Sequence, residues 1–424
     1  MEKISQGRHM IPIEDLLDLT TNEYLSCGRS YLCKIKQVSY IGKHRNQKAL
    51  KRLSQILMNN LGPYKTVLQE MSNTNLNFSS PEIERVKSIV SEFLLKLDKR
   101  KLLFDRPFLK FFMEQGYLEA AQEFIVRVRL DNPQLTNEEI FQALRNVWII
   151  NSLQLYWGLP LEITPSVYAY SLLYPYTDNL LDNPDIKSDE KIKFNRRLSG
   201  VLKGEKLTPN SCIEEKVFSL VGQIESQYSR DIFPEIYDSL RLIHEAQIES
   251  VKQDKDEQLS CDQILRISFF KGGTSVLADA FLVKGTLDIK EMQFAFVYGS
   301  FLQLLDDLQD AEVDKNDSHQ TLFSSRNDNE LIDDEVISLI SFMFSANAAV
   351  ESDTRIMSLM KEVISACSLV MVMDAVGRNP KLISHRLYKE LESYSKVSLS
   401  FYKEFDKFKA LINEKSEFAG IEPV

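Results

Sequence analysis

Apolar residues recur at three- and four-residue spacing along most of the chain, which predicts helices. The pattern covers residues 46–60, 81–100, 108–130, 166–182, 212–229, 233–253, 260–284, 289–314, 331–350, 354–376 and 380–414, with a shorter candidate at 190–203. In SSPEIERVKSIVSEFLLKL, Ser80 can cap, Pro81 suits the first turn, and Glu82 and Glu84 sit at the positive helix end. Thr136 followed by Glu139 is a capping box ahead of IFQALRNVWII. Alternating strand patterns are few and short, around residues 30–40, and no fixed-period repeat is present. Turn residues cluster at 72–80, 131–136, 183–189, 206–211 and 314–334. None of these reads as a domain linker. The predicted fold is all-α, a large helical bundle.

Composition agrees. Gly and Pro together are 28 of 424 residues, about half the usual share. That excludes collagen-like chains, low-complexity disorder and a many-turned β-sandwich. The net charge of −10 argues against a general nucleic-acid binder. The opening MEKISQGRHMIPIEDLL has no apolar export core, and the longest charge-free apolar stretch, residues 336–350, is short of the ~20 residues of a membrane span. Five scattered cysteines without a CxxC pair predict free thiols and a cytoplasmic location. The five histidines make no metal-ligand spacing.

The candidate chemistry lies in three blocks. In FLQLLDDLQDAEVD, residues 301–314, Asp306, Asp310 and Asp314 are spaced i, i+4, i+8 on one helix face, with Asp307 beside them. Stacked like charges cost some tenths of a kcal/mol per pair. Mg²⁺, which takes carboxylate oxygens together with substrate phosphates, would offset that cost. The same face continues back through Leu302, Tyr298 and Phe294, so the stripe passes from acid to aromatic. With 27 Asp in the chain, DDxxDxxxD is expected by chance fewer than about 0.01 times. In YAYSLLYPYTDNLLDNPD, residues 168–185, Asp178 and Asp182 are i, i+4, with Tyr174 and Tyr170 behind them. A DxxxD pair is expected by chance about 1.7 times, so this block gains weight only from the first. Pro175 should kink its helix or mark a restart. Both stripes run aromatic first and acid last, so they share one mouth only if their helices are parallel. Simple alternation then requires an odd number of helices between them.

The third block is SFFKGGTSVLADAFL, residues 268–282. Gly272 and Gly273 interrupt a helical pattern at roughly 1 kcal/mol each. One reading is a helix break whose freed carbonyls face the pocket, with Lys271 on the phosphates. The other is a tight helix crossing that excludes a Cβ. Arg266, Arg196 and Arg197 are further candidates for phosphate contacts, and Phe270 for the pocket lining.

FLQLLDDLQDAEVD resembles the second aspartate-rich motif of class I isoprenoid synthases, the FQ-x-x-DD-x-x-D pattern, with Gln303 at its Gln. DNLLD resembles the DxxxD first motif of the squalene and phytoene synthase branch. Together with KGGTSVLADAFLV, the blocks look most like the large terpene synthases related to tetraprenyl-β-curcumene synthase. The resemblance covers residues 105–400 and implies a helical core over 105–424 after a helical extension at 1–104. It implies two or three Mg²⁺ ions, a polyprenyl diphosphate as partner, and ionisation followed by cyclisation or elimination as the reaction. The first motif lacks the adjacent second Asp of the DDxxD form, and no terminal Arg-Tyr pair is present. Head-to-head condensation, chain elongation and a non-catalytic helical scaffold are the competing readings. A lipid substrate would also allow peripheral membrane contact, although no basic amphipathic helix supports it.

Overall fold

The computed structural model describes residues 10–66, 80–183, 185–254, 258–326, 330–349 and 354–404, apart from the side chains of Tyr174 and Asp182. Among these residues the protein is helical, with no strand. The helices are α1 (Ile13–Ser26), α2 (Tyr40–Leu61), α3 (Pro81–Lys99), α4 (Leu109–Glu114), α5 (Tyr117–Asp131), α6 (Asn137–Tyr156), α7 (Pro165–Asp182) and α8 (Ser188–Leu202). They continue as α9 (Cys212–Gln227), α10 (Pro234–Ser250), α11 (Cys261–Lys284), α12 (Ile289–Gln309), α13 (Ala311–Asn316), α14 (Asp333–Ala349), α15 (Arg355–Arg378) and α16 (His385–Tyr394).

The boundaries follow local chemistry. Ser80 accepts the Ile83 N–H at the start of α3, with Pro81 in the first turn. The Thr136 hydroxyl oxygen accepts the Glu139 N–H, and the Glu139 carboxylate accepts the Thr136 N–H, closing the capping box. The pattern over 108–130 forms two helices, because Gly116 takes a left-handed φ of 90° between α4 and α5. Residues 29–34 form a short 3₁₀ turn where a strand was expected. The last pattern is interrupted, since α16 ends at Tyr394 at an extended Ser395 and helix resumes over residues 400–404. Residues 405–414 of that pattern lie outside the described residues. Pro175 neither ends α7 nor restarts it. The helix runs through it, and the Thr177 hydroxyl donates to the Leu173 carbonyl one turn back.

The chain divides into two compact units that interleave in sequence. One comprises 30–144, 328–333 and 361–424. Its core joins Leu50, Leu53, Leu97 and Leu102 to Val397 and Phe401, and the Val38 N–H bonds the Ser393 carbonyl at 2.8 Å. The other comprises 1–29, 145–327 and 334–360 and holds every candidate site residue.

Within that second unit, helix directions can be read from contacts. Thr177 and Asp178 meet Gln247, while Tyr170 and Leu173 share a small cavity with Leu240 and Ile243, so α7 and α10 run parallel. The Tyr237 hydroxyl, at the start of α10, donates to the Tyr228 carbonyl, and the Tyr228 hydroxyl donates to the Leu282 carbonyl at the end of α11. So α11 runs back against α10. Ser268 on α11 bonds Asp307 on α12, and Ser300 bonds the Phe269 carbonyl, so α12 reverses once more. α12 is therefore parallel to α7, and both carboxylate stripes end at one end of the unit. Four helices lie between α7 and α12 in sequence, because the short candidate at 190–203 is a full helix, α8. Odd-count alternation is thus not how the parallel arrangement arises. α8 packs beside α9 and α10 and stands outside the alternation.

Among the described residues one helix, α15, is long and apolar enough to cross a membrane by length and composition, with a mean hydropathy of 1.7 over its most apolar window, a third of which is buried. Core helices pass the same test. Residues 336–349 of the longest charge-free apolar stretch belong to α14, a helix buried through Val336, Leu339, Ile340 and Phe342.

Candidate functional site

The site is built on the last turns of α12. Although the helix gives way to α13 at Asp310, helical hydrogen bonding crosses the join. The Asp310 N–H bonds the Asp306 carbonyl at 3.0 Å, and the Asp314 N–H bonds the Asp310 carbonyl at 2.8 Å. Asp306, Asp310 and Asp314 therefore keep the common face that their spacing predicts. Their charges act on one another. Asp310 is raised above the ordinary carboxylate range by desolvation and by Asp306, with Arg145 pulling the other way. Asp314 is pushed up to about 6, first by burial, then by Asp310 and Asp306 against the opposing His319 and a Thr321 hydrogen bond.

Asp307 is placed differently. Its carboxylate is buried against α11, where it accepts the Ser268 hydroxyl and the Gln303 amide, both at 2.9 Å. Burial pushes it up to about 7. Asp307 thus ties the end of α12 to α11, while the charges of Asp306 and Asp314 still raise it. Gln303, at the Gln of the resembled motif, is one of the two residues that hold Asp307 in place.

Arg145, at the start of the unit's portion of α6, donates to Asp306 Oδ1 at 2.8 Å. Both side chains are substantially exposed, so the pair contributes little to stability. It does bring a cation to the acid cluster, one the sequence reading missed. Asp254 and His319 form an ion pair beside it, and His319 is raised above its usual value, chiefly by the Asp254 hydrogen bond. The charge of Lys271 is felt at His319, which puts Lys271 at the same end of the unit as the acids. A polar cavity of about 350 Å³ opens there, lined by Asp254, Gln258, Lys315, Ser318, His319 and Gln320.

On the parallel helix α7, Asp178 Oδ1 accepts the Gln247 amide at 3.1 Å. Asp182 and Tyr174 belong to the same stripe, but their side chains lie outside the described residues. Tyr170 is fully buried, and its hydroxyl donates to the Ser275 carbonyl at 3.3 Å, tying α7 to α11. Behind the acids of α12, Tyr298 stacks on Phe294 at 5.9 Å and 3°. Phe294 stacks in turn on Tyr156 of α6 at 4.6 Å and 11°. Tyr156 extends the aromatic stripe and was missed because it comes from a distant helix. Phe270 is half-buried on α11.

Three expectations need correction. α11 is continuous through Gly272 and Gly273, so there is no break and no freed carbonyl. A Cβ on Gly272 would meet the Gly299 carbonyl oxygen at 2.4 Å, and one on Gly273 would meet the Phe296 ring at 2.5 Å. Both glycines serve the α11–α12 crossing and do not line a pocket. Arg266 is engaged by Asp18 and Glu14 of α1, and Arg197 by Glu214 and the Thr208 carbonyl. Arg196 is exposed on the third turn of α8. None of the three arginines is placed by its contacts at the acid cluster.

Among the described residues, no group of three or more His, Cys, Asp or Glu side chains converges closely enough to hold a metal ion by itself. The oxygen donors present still suit a hard divalent cation, which keeps several waters and takes substrate phosphates alongside one or two carboxylates. All five cysteines are free thiols. No protein-family model matches the sequence, and comparison with characterised proteins returns no match.

Proposed function

We propose that the protein is a Mg²⁺-dependent enzyme of the class I isoprenoid synthase type, which ionises a polyprenyl diphosphate and carries the resulting carbocation to a cyclised or eliminated product. The observation that carries this reading is the face of α12. Three mutually coupled carboxylates end it, and a stacked aromatic pair backs it, continued by Tyr156. Hydrated anions favour one end of such a stripe, and a carbocation the other.

Asp306, Asp310 and Asp314, with Asp178 and Asp182 on the parallel helix, would hold Mg²⁺. Bound there, it would supply electrophilic stabilisation of the leaving diphosphate. Arg145, Lys271 and His319 bring positive charge to the same end and bind the diphosphate. The allylic C–O bond breaks with its electron pair leaving on oxygen. The ring faces of Tyr298, Phe294 and Tyr156 stabilise the cation by about 0.5–2 kcal/mol each. The packed apolar residues around them exclude water that would quench it.

The test is thermal unfolding with Mg²⁺ and inorganic pyrophosphate. Saturation at a hundredfold above Kd raises stability by about 2.7 kcal/mol. Asp306→Asn and Asp178→Asn each lose that gain. Retention of the full gain by both variants contradicts the site.

A further inference from the structure

Asp279 lies in the most apolar stretch of α11, between Leu277 and Phe281, and is 0% exposed. The Asn146 amide donates to its Oδ1 at 3.2 Å, while Oδ2 has no partner. Burial raises the carboxyl well above the usual carboxylate range. An ionised carboxylate at such a position costs several kcal/mol, so the resting form is the neutral acid. Its proton is then a buried donor without an acceptor, at a further cost of about 1–3 kcal/mol. A structural tie between α6 and α11 would not need this.

Its position suits chemistry on the hydrocarbon end of a substrate. Asp279 is eight residues beyond Lys271 on a continuous helix, roughly 12 Å along the axis. It is one turn from Ser275, whose carbonyl takes the Tyr170 hydroxyl. Asn146, which also donates to Ser171 of α7 at 3.3 Å, keeps partial exposure, as do Ser275 and Tyr298. The acid is thus set among three helices, well removed from the acids of α12.

We propose that Asp279 is an internal acid of the reaction, which protonates a neutral olefin formed once diphosphate has left. This rests on the function proposed above. The first carbocation loses a proton to the departing diphosphate and becomes an olefin. The Asp279 Oδ2–H bond then breaks, leaving its electron pair on the carboxylate, and the olefin π pair takes the proton. The second carbocation cyclises and loses a proton from a neighbouring carbon. That C–H pair becomes the product double bond, and the proton returns to Asp279. Atoms and charge balance without any further reactant.

The experiment is a single turnover of C10 to C35 prenyl diphosphates with Mg²⁺ by the full chain, held in molar excess over substrate and pre-equilibrated in D₂O, with mass analysis of the hydrocarbon. The wild-type product is expected to carry one deuteron at carbon. Asp279→Asn, which keeps shape and neutrality, is expected to lose the label and to accumulate a less cyclised olefin. Diphosphate release with an unlabelled wild-type product overturns the role of Asp279 and leaves the site reading intact. The wild-type measurement decides this even if the variant does not fold. A variant that folds and still gives the labelled product overturns it equally. Failure to release diphosphate from any substrate overturns the site reading, and this inference with it.

Discussion

The carbonyl oxygen of Gly299 lies 2.4 Å from where a Cβ on Gly272 would stand, and the Gly272 carbonyl lies 2.1 Å from the corresponding point on Gly299. The contact is reciprocal, so the two helix backbones are packed directly on each other. The acids of α12 are held beside α11 by this crossing. Gly272→Ala is therefore expected to destabilise by about 1–3 kcal/mol, the usual cost of overpacking. Gly222 is the control. It lies in a helix, is exposed and has nothing within 4 Å of its Cβ position. Gly222→Ala should stabilise by about 0.4–1 kcal/mol. Urea unfolding of the two variants measures both.

Arg145 pairs with Asp306 where both are exposed. Arg145→Ala should thus change unfolding free energy by less than about 1 kcal/mol. Its effect on ligand binding should be larger. A charge-assisted contact is worth about 1.5–3 kcal/mol, so pyrophosphate affinity in Mg²⁺ is expected to fall roughly tenfold to hundredfold. Calorimetric titration measures it.

Asp307 and Asp314 are raised to about 7 and about 6, both chiefly by burial. In the unfolded chain they titrate near 3.9. Between these limits the native state holds more protons than the unfolded state, so their contribution is complete below about pH 4 and is lost as pH rises through 7. Asp307→Asn removes the larger part. It should be more stable than the wild type at pH 8, by up to about 4 kcal/mol, and no more stable at pH 4. Denaturant midpoints at the two pH values give the comparison.

Phe294 stacks on both Tyr156 and Tyr298. Phe294→Leu keeps an apolar side chain and removes both stacks, each worth about 0.5–1.5 kcal/mol. The expected result is a stability loss of about 1–3 kcal/mol and slower hydrocarbon formation. Pyrophosphate binding should be unchanged, since Phe294 stands three turns from Asp306 on α12. Steady-state kinetics beside titration separates the two effects.

Helix periodicity was legible in the sequence because 3.6-residue spacing is local. So was the common face of Asp306, Asp310 and Asp314, which follows from spacing along one helix. What spacing cannot carry is which way a neighbour turns. Asp307 is adjacent to Asp306, yet its 100° rotation on the helix sends it to Ser268 and Gln303. Gly272 shows the same limit. A glycine pair in a helix reads equally as a break or as a close approach, and the decision belongs to Gly299 on another helix. Arg145, Tyr156 and Asn146 were silent for a related reason. They come from α6, far from the acids in sequence, and carry no pattern of their own. Asp279 did lie in a noticed segment, but only its burial marks it out.

The central claim is that the α12 acids and the aromatic stripe behind them ionise a prenyl diphosphate. The most direct measurement is diphosphate release from C10 to C35 prenyl diphosphates with Mg²⁺, with analysis of the organic products. The account expects release from at least one substrate without added isopentenyl diphosphate, yielding a hydrocarbon, and its loss in Asp306→Asn. No release from any substrate contradicts it, as does undiminished release by that variant.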